Sequence, residues 1–166
     1  MPESGRDEDS GHLPEDLGAS IDAMLVFNIV RTHSYVSPYI DQTLKTSRLT
    51  GAQFNTLIAL DAAGEQGLLM GEIGDRLVVT RSNVTGLIDR LENQGLVERC
   101  EADDRRATRV RLTAEGHRAL DEVLPAYRGA VEELTGCLTA AEKAVLVRLL
   151  TKLRRELRRR WKETKG

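Results

Sequence analysis

A mainly α-helical fold with one small β-hairpin is predicted for this 166-residue chain, and three observations carry the prediction. Apolar residues recur at helical spacing over most of its length. Around residues 96–113 the period shortens to two on either side of a polar turn. Helical stretches with wide leucine stripes then flank this central part on both sides.

Composition sets the limits. With 40% hydrophobic residues the chain suits one globular domain or a small obligate oligomer. It has no run of about eighteen apolar residues, and its start, MPESGRDEDSGHLPEDLG, has neither a basic patch nor an apolar signal core. The sequence therefore reads as cytoplasmic, with no membrane partner. Cys100 and Cys137 have no CxxC spacing and no nearby histidine pair, so no disulfide framework, metal site or cofactor is expected. The net charge of -2 conceals two poles: residues 1–22 set Glu3, Asp7, Glu8, Asp9, Glu15, Asp16 and Asp22 against Arg6, while Lys152 to Lys165 is strongly basic.

In chain order, residues 1–16 read as a mobile acidic lead. Leu17, Ile21, Met24, Leu25 and Asn28 begin a helical face that resumes at Val36, Tyr39, Ile40 and Leu44, with Pro38 placed to kink or break it. In LTGAQFNTLIAL, Thr50 and Gln53 have capping-box spacing and Phe54, Leu57 and Ile58 form one stripe; Gly64 and Gly67 close that helix. A short helix, MGEIGDRLVV, turns Ile73 and Leu77 inward. The next begins at Thr80 as N-cap, keeps Val84, Leu87, Ile88 and Leu91 on one side and stops at Gly95. LVERC and ATRVRLT read as two strands around EADDRR, with Thr108, Val110 and Leu112 on one face and Arg109 and Arg111 on the other. Thr113 caps a helix carrying Leu120, Val123, Leu124 and Tyr127; Thr139 and Glu142 form a second capping box before a final helix with Leu146, Leu149, Leu150, Leu153 and Leu157 in register.

Helix, short helix, helix and hairpin, in that order and with a tight turn at VVTRS, make a winged helix-turn-helix. The segment from Leu49 to Gly116 resembles the MarR family, the multiple-antibiotic-resistance type regulators, in LTGAQFNTLIAL, EIGDRLVVTRSNVTGLIDRLENQGLVER and DDRRATRVRLTAEG. The likeness covers nearly everything after Leu17. It implies a cytoplasmic homodimeric DNA-binding repressor or activator, often relieved by a small molecule or by oxidation. On this reading residues 17–48 and 114–166 are dimerisation helices around a DNA-reading region, 49–113.

Helical geometry picks out the side chains that would read DNA. With Val84, Leu87, Ile88 and Leu91 inward, Ser82, Gly86, Asp89 and Asn93 lie opposite, and Arg81, Asn83, Thr85 and Arg90 flank them. The first turns of a recognition helix meet bases, so Arg81, Ser82, Asn83 and Thr85 are the main candidates. Arginine suits guanine and asparagine suits adenine. The alternative is an ordinary solvated polar face. Asp89 would be repelled by phosphate, so it is expected to pair with an arginine, near Arg90 or in the wing. The wing arginines answer to the adjacent minor groove and the backbone. By resemblance Arg106 is the groove-directed arginine and Asp104 its steadying partner; Arg105 is a second candidate, and Arg109 and Arg111 would touch phosphates. The competing reading pairs these arginines across the strands with Glu98, Glu101 and Asp103.

The flanking stripes exceed what a compact reading head needs, and by resemblance the two termini interleave into a dimer hub. The basic residues from Arg154 onward complement the helix dipole more readily than they contact DNA. By family analogy an effector pocket, for a phenolic or other aromatic molecule, would draw on Phe27, His33, Tyr35, Tyr39 and Phe54; for each, plain core is the simpler role. Relatives that sense oxidation through a thiol use a cysteine in the first long helix, where this chain has none. An enzyme is not indicated, since no Gly-x-Ser-x-Gly, P-loop or HExxH organises the polar residues. The remaining alternatives are a winged helix for protein or RNA contacts and a metal-responsive regulator of the same fold.

Overall fold

The computed structural model describes residues 20–77, 81–101 and 107–165, apart from the side chains of Arg81, Ser82, Lys162 and Lys165. The acidic lead with Leu17, the expected N-cap Thr80, and the hairpin tip with Asp103, Asp104, Arg105 and Arg106 lie outside the described residues.

The first helix, α1 (Ile21–Leu44), is capped by Ser20, whose extended backbone turns its hydroxyl toward the amide of Ala23 at 3.5 Å. It does not break at Pro38. Proline removes one backbone donor there, which would have met the carbonyl of Ser34, and both residues are exposed, so water can replace the missing partner. A short 3-10 turn follows, and then α2 (Gly51–Asp61) starts from the expected capping box: Thr50 accepts from the amide of Gln53 at 3.2 Å and Gln53 from the amide of Thr50 at 2.9 Å.

After α2 the chain turns through Gly64 and Gly67, at φ of 61° and 59°. At Gly67 a Cβ would lie 2.3 Å from the carbonyl oxygen of Val110, so glycine is needed for this close approach as well as for the turn. The turn delivers a two-residue strand, β1 (Leu68–Leu69), which the sequence pattern does not predict. The short helix α3 (Met70–Leu77) follows at once, with Glu72 accepting from the amide of Leu69 at 2.7 Å and Ile73 fully buried. Next is α4 (Arg81–Asn93). It ends as a Schellman motif, with Gly95 at φ 72° donating to Glu92 and Leu96 donating to Leu91.

Strands β2 (Val97–Glu101) and β3 (Thr108–Leu112) form the expected hairpin, and β1 joins it to give an antiparallel sheet in the order β1-β3-β2. Thr113 then caps α5 (Ala114–Leu134) through the amide of Gly116 at 3.0 Å and donates its hydroxyl to the carbonyl of Gly95 at 2.6 Å. One residue therefore joins the end of α4 to the start of α5. The second expected capping box, Thr139 with Glu142, opens α6 (Ala140–Lys165).

One core holds these elements together. It takes Leu44 from α1, Phe54, Leu57 and Leu60 from α2, Ile73 from α3, Val84, Ile88 and Leu91 from α4, Val110 from β3 and Leu120 from α5, all at 0–2% exposure. Helix α1 packs chiefly on α5, and Tyr39 donates to the Glu133 carboxylate at 2.5 Å across that contact. That hydrogen bond raises the tyrosine's pKa above its ordinary value. Helix α6 stands apart from the core, linked to α3 by Arg158 with Asp75 at 3.1 Å.

Candidate nucleic-acid interface

Helix α4 is built as a two-sided element. Val84, Leu87, Ile88 and Leu91 are buried as their spacing requires, at 0–5% exposure, which turns Asn83, Thr85, Asp89, Arg90 and Asn93 to the exposed side. Arg81 and Ser82 occupy its first turn. Among the described residues, a Cβ added at Gly86 would meet only the Arg90 guanidinium, at 3.7 Å.

The expected partner of Asp89 is found in the wing. Arg99, in β2, reaches back over α4, donating to Asp89 at 2.5 Å and also to Glu92. One guanidinium thereby joins the hairpin to the helix and neutralises two carboxylates, one of them on the exposed side of α4. Sequence reasoning singles out the acid but misses this arginine. The available signal is the spacing, since Asp89 and Glu92 are three apart on one helix face.

Of the clustered wing arginines, two are described. Arg111 lies opposite Glu98 in the β2–β3 register and donates to it at 2.5 Å, which is the cross-strand pairing of the competing reading. Arg109 donates to the carbonyls of Gln66 and Gly67 at 3.0 and 3.4 Å, fastening β3 to the turn before β1. Both guanidinium groups are thus engaged within the protein.

The five residues considered for an effector pocket do not converge. Phe54 is fully buried, its ring 4.6 Å from that of Tyr127 and tilted by 54°, so it is core and lines no open pocket. Tyr39 is half-buried and held by Glu133, and His33 is exposed at a different angle on α1. Phe27 and Tyr35 do belong together. The guanidinium of Arg31, one turn from each, sits 5.8 Å from the Phe27 ring centroid and 6.0 Å from that of Tyr35. The i, i+4, i+8 spacing of Phe27, Arg31 and Tyr35 is the sequence signal for this group.

Among the described residues two apolar faces remain uncovered. On α1, Ile21, Met24, Leu25, Val26 and Val30 are exposed, and on α6 so are Leu146, Leu149, Leu150, Leu157 and Trp161. Among the described residues no helix is long and apolar enough to cross a membrane.

The sequence profile of the MarR family matches residues 49–107. The transcriptional repressor MprA of Escherichia coli is 33% identical over 114 residues, covering 68% of this chain and 65% of MprA, so the chain spans just under two thirds of that relative. Among solved structures, a cysteine-to-serine mutant of MarR from E. coli, complexed with operator DNA, superposes with a TM-score of 0.71 at 29% identity, over 78% of this chain and 93% of that one. BpsR of Bordetella bronchiseptica, whose DNA binding is regulated by 6-hydroxynicotinic acid, superposes with a TM-score of 0.70 at 27% identity, over 78% and 98%.

Proposed function

The chain belongs to the MarR family, and from that premise we propose that it is a cytoplasmic homodimeric regulator, a repressor that binds a palindromic operator and is released by a small aromatic effector. The observation that carries this reading is the pairing of α4 with the wing: a helix with one buried side and one polar exposed side, held to an adjacent hairpin by Arg99. Helices presented in this way enter the major groove, and the hairpin beside them reaches the neighbouring minor groove.

In this assignment Arg81, Ser82, Asn83 and Thr85 read bases from the first turns of α4, and Arg90 serves the flank. Arg105 and Arg106 act from the hairpin tip in the minor groove, while Arg109 and Arg111 support the phosphate contact from the hairpin's base. The uncovered faces of α1 and α6 support the dimer. Leu149 and Trp161 are 50% and 55% exposed in the single chain, and leucine stripes of this width are covered in a stable protein. Phe27, Arg31 and Tyr35 are the group best suited to an aromatic anion, because a planar ring stacks on the aromatics and the cation meets its charge.

The test is a titration of the full chain against a duplex selected from random sequence by the protein itself, compared with an unselected duplex at several salt concentrations. The reading expects strong salt dependence on both duplexes and a tighter fit to the selected one. Asn83→Ala should cost roughly 1–3 kcal/mol on the selected duplex and little on the other. Equal losses on both would move Asn83 to phosphate contact, and absence of any selected sequence would overturn the reading.

A further inference from the structure

The near-neutral net charge of -2 conceals two poles at opposite ends of the chain. Residues 1–19 carry six carboxylates against the single Arg6, and α6 carries ten lysines and arginines against Glu142, Glu156 and Glu163. Within α6 the cations are not spread evenly. At 100° per residue Arg148, Lys152, Arg155 and Arg159 fall within an arc of about 60°, on the side away from Leu146, Leu150, Leu153 and Leu157, and extend over about 16 Å of helix. Thr151 and Glu156 lie beside them on the same helix. Other arginines of this helix are neutralised locally: Arg158 by Asp75, and Arg160 by Glu156. On the stripe itself Arg159 is shared between Glu156 and Glu163, whereas among the described residues Arg148, Lys152 and Arg155 have no carboxylate partner.

A helix dipole does not account for this stripe, because Arg148 and Lys152 lie in the first half of α6, far from its last turn. Nor does the dimer, whose interface would use the opposite side. We propose that the stripe is a docking surface and that its occupant is the acidic N-terminal segment of this protein. The inference rests on the dimer reading. If the exposed apolar start of α1, from Ile21 to Val30, covers the apolar side of α6, the segment ahead of Ser20 leaves α1 alongside that helix. Nineteen residues span at most about 60 Å, several times the length of the stripe. Tethering raises the local concentration of the carboxylates into the millimolar range, so individually weak exposed pairs suffice together. The docked segment would close the stripe to other polyanions, including DNA away from the operator.

The test uses the full-length protein and a carbodiimide, which joins a carboxylate to an amine it touches. Lys152 is the reporter. At low salt the expected product is an amide between a carboxylate of residues 1–19 and Lys152, found by peptide mass spectrometry. It should be lost at about 0.5 M salt, where the Debye length is only about 4 Å. It should also be lost in the Arg148→Glu, Arg155→Glu double variant. A second variant, with the six carboxylates of the segment changed to amides, should leave Lys152 more reactive toward an acetylating reagent. Sedimentation of every variant reports the dimer separately, so a monomeric chain would sink the dimer reading without being mistaken for failed docking. Two results overturn the proposal. One is a low-salt map that links the segment to Lys45 or Lys143 as often as to Lys152. The other is a Lys152 protected by random duplex DNA but indifferent to the neutralised segment, which would make the stripe a nucleic-acid surface.

Discussion

Replacing Arg99 by alanine separates the wing from the recognition helix without touching any residue proposed to read bases. In the native chain its guanidinium holds Asp89 at 2.5 Å and also holds Glu92, and the side chains of the three residues are 30%, 50% and 38% exposed. Pairs this exposed are screened by solvent, so each contributes up to about 1 kcal/mol and their joint loss about 1–2 kcal/mol of folding stability. The effect on DNA has a different origin. Asp89 faces outward on α4, and without Arg99 its charge meets the phosphates directly. A carboxylate about 7 Å from a phosphate in water costs roughly 0.6 kcal/mol, so one or two such encounters weaken binding by about three- to eightfold.

Denaturant unfolding measures the first effect and fluorescence anisotropy on a labelled duplex the second. Combining Arg99→Ala with Asp89→Asn closes a double-mutant cycle in both assays, and a coupling above about 0.5 kcal/mol is expected, since the second change removes the charge that the first exposes. The salt slope discriminates further. If Arg99 acts through the two acids, the slope of log K against log salt should change by much less than the roughly 0.9 expected for a lost phosphate contact. A full loss of about 0.9, with additive effects in the cycle, would show that Arg99 itself binds DNA and would refute its role as a clamp.

Four more outcomes are expected. Leu149→Glu with Leu153→Glu should give monomers or unfolded chain and abolish operator binding; a variant that sediments as a dimer with normal affinity would remove α6 from the interface. Gly116→Ala should destabilise the fold by roughly 3 kcal/mol in a denaturant titration, because its Cβ would lie 2.0 Å from the Leu96 carbonyl oxygen, a backbone atom that cannot step aside. Glu156, held by Arg159 and then Arg160, should titrate at about 2 instead of 4.5 by carboxyl NMR, so that its contribution to α6 is complete above pH 4.5 and is lost as the pH falls toward 2; Arg159→Gln should move the midpoint back up. Arg106→Ala should erase any preference for A·T flanks beside the half-sites, whereas Arg111→Ala should weaken all duplexes alike, as titrations on A·T- and G·C-flanked duplexes would report.

Local chemistry makes most of the fold legible. The caps at Thr50, Thr113 and Thr139 act within three residues of sequence, and the buried side of α4 follows from one period, so neither needs knowledge of the rest of the chain. What escapes depends on distant partners. Strand β1 is two residues long, too short for an alternation to register, and is recognisable only because Leu68 and Leu69 face Val110 and Arg109 some forty residues later. The helix runs on through Pro38 because the carbonyl left without a donor faces solvent, and exposure is not written in the local sequence. Phe54 reads the same on paper as a pocket aromatic and as core; Tyr127, on α5, makes it core. For Asp89 the sequence offers two possible neighbourhoods, and the hairpin's return over α4 selects Arg99.

The same dependence on distant partners divides the arginine cluster of the wing. Four arginines within seven residues read as one basic patch, yet the two that are described are each engaged within the protein. At the base, Arg111 is opposite Glu98 and Arg109 reaches the carbonyls of the turn that precedes β1, so their charge goes in part to holding β3 in the sheet. The first contact ties the two strands of the hairpin together, the second ties them to the body, and Arg99 ties them to α4. On the proposed reading Arg109 and Arg111 have two tasks, bracing β3 and supporting the phosphate contact. Arg109→Ala and Arg111→Ala should therefore lower folding stability in a denaturant titration as well as weakening all duplexes alike, whereas Arg106→Ala should change the flank preference and leave stability unaltered.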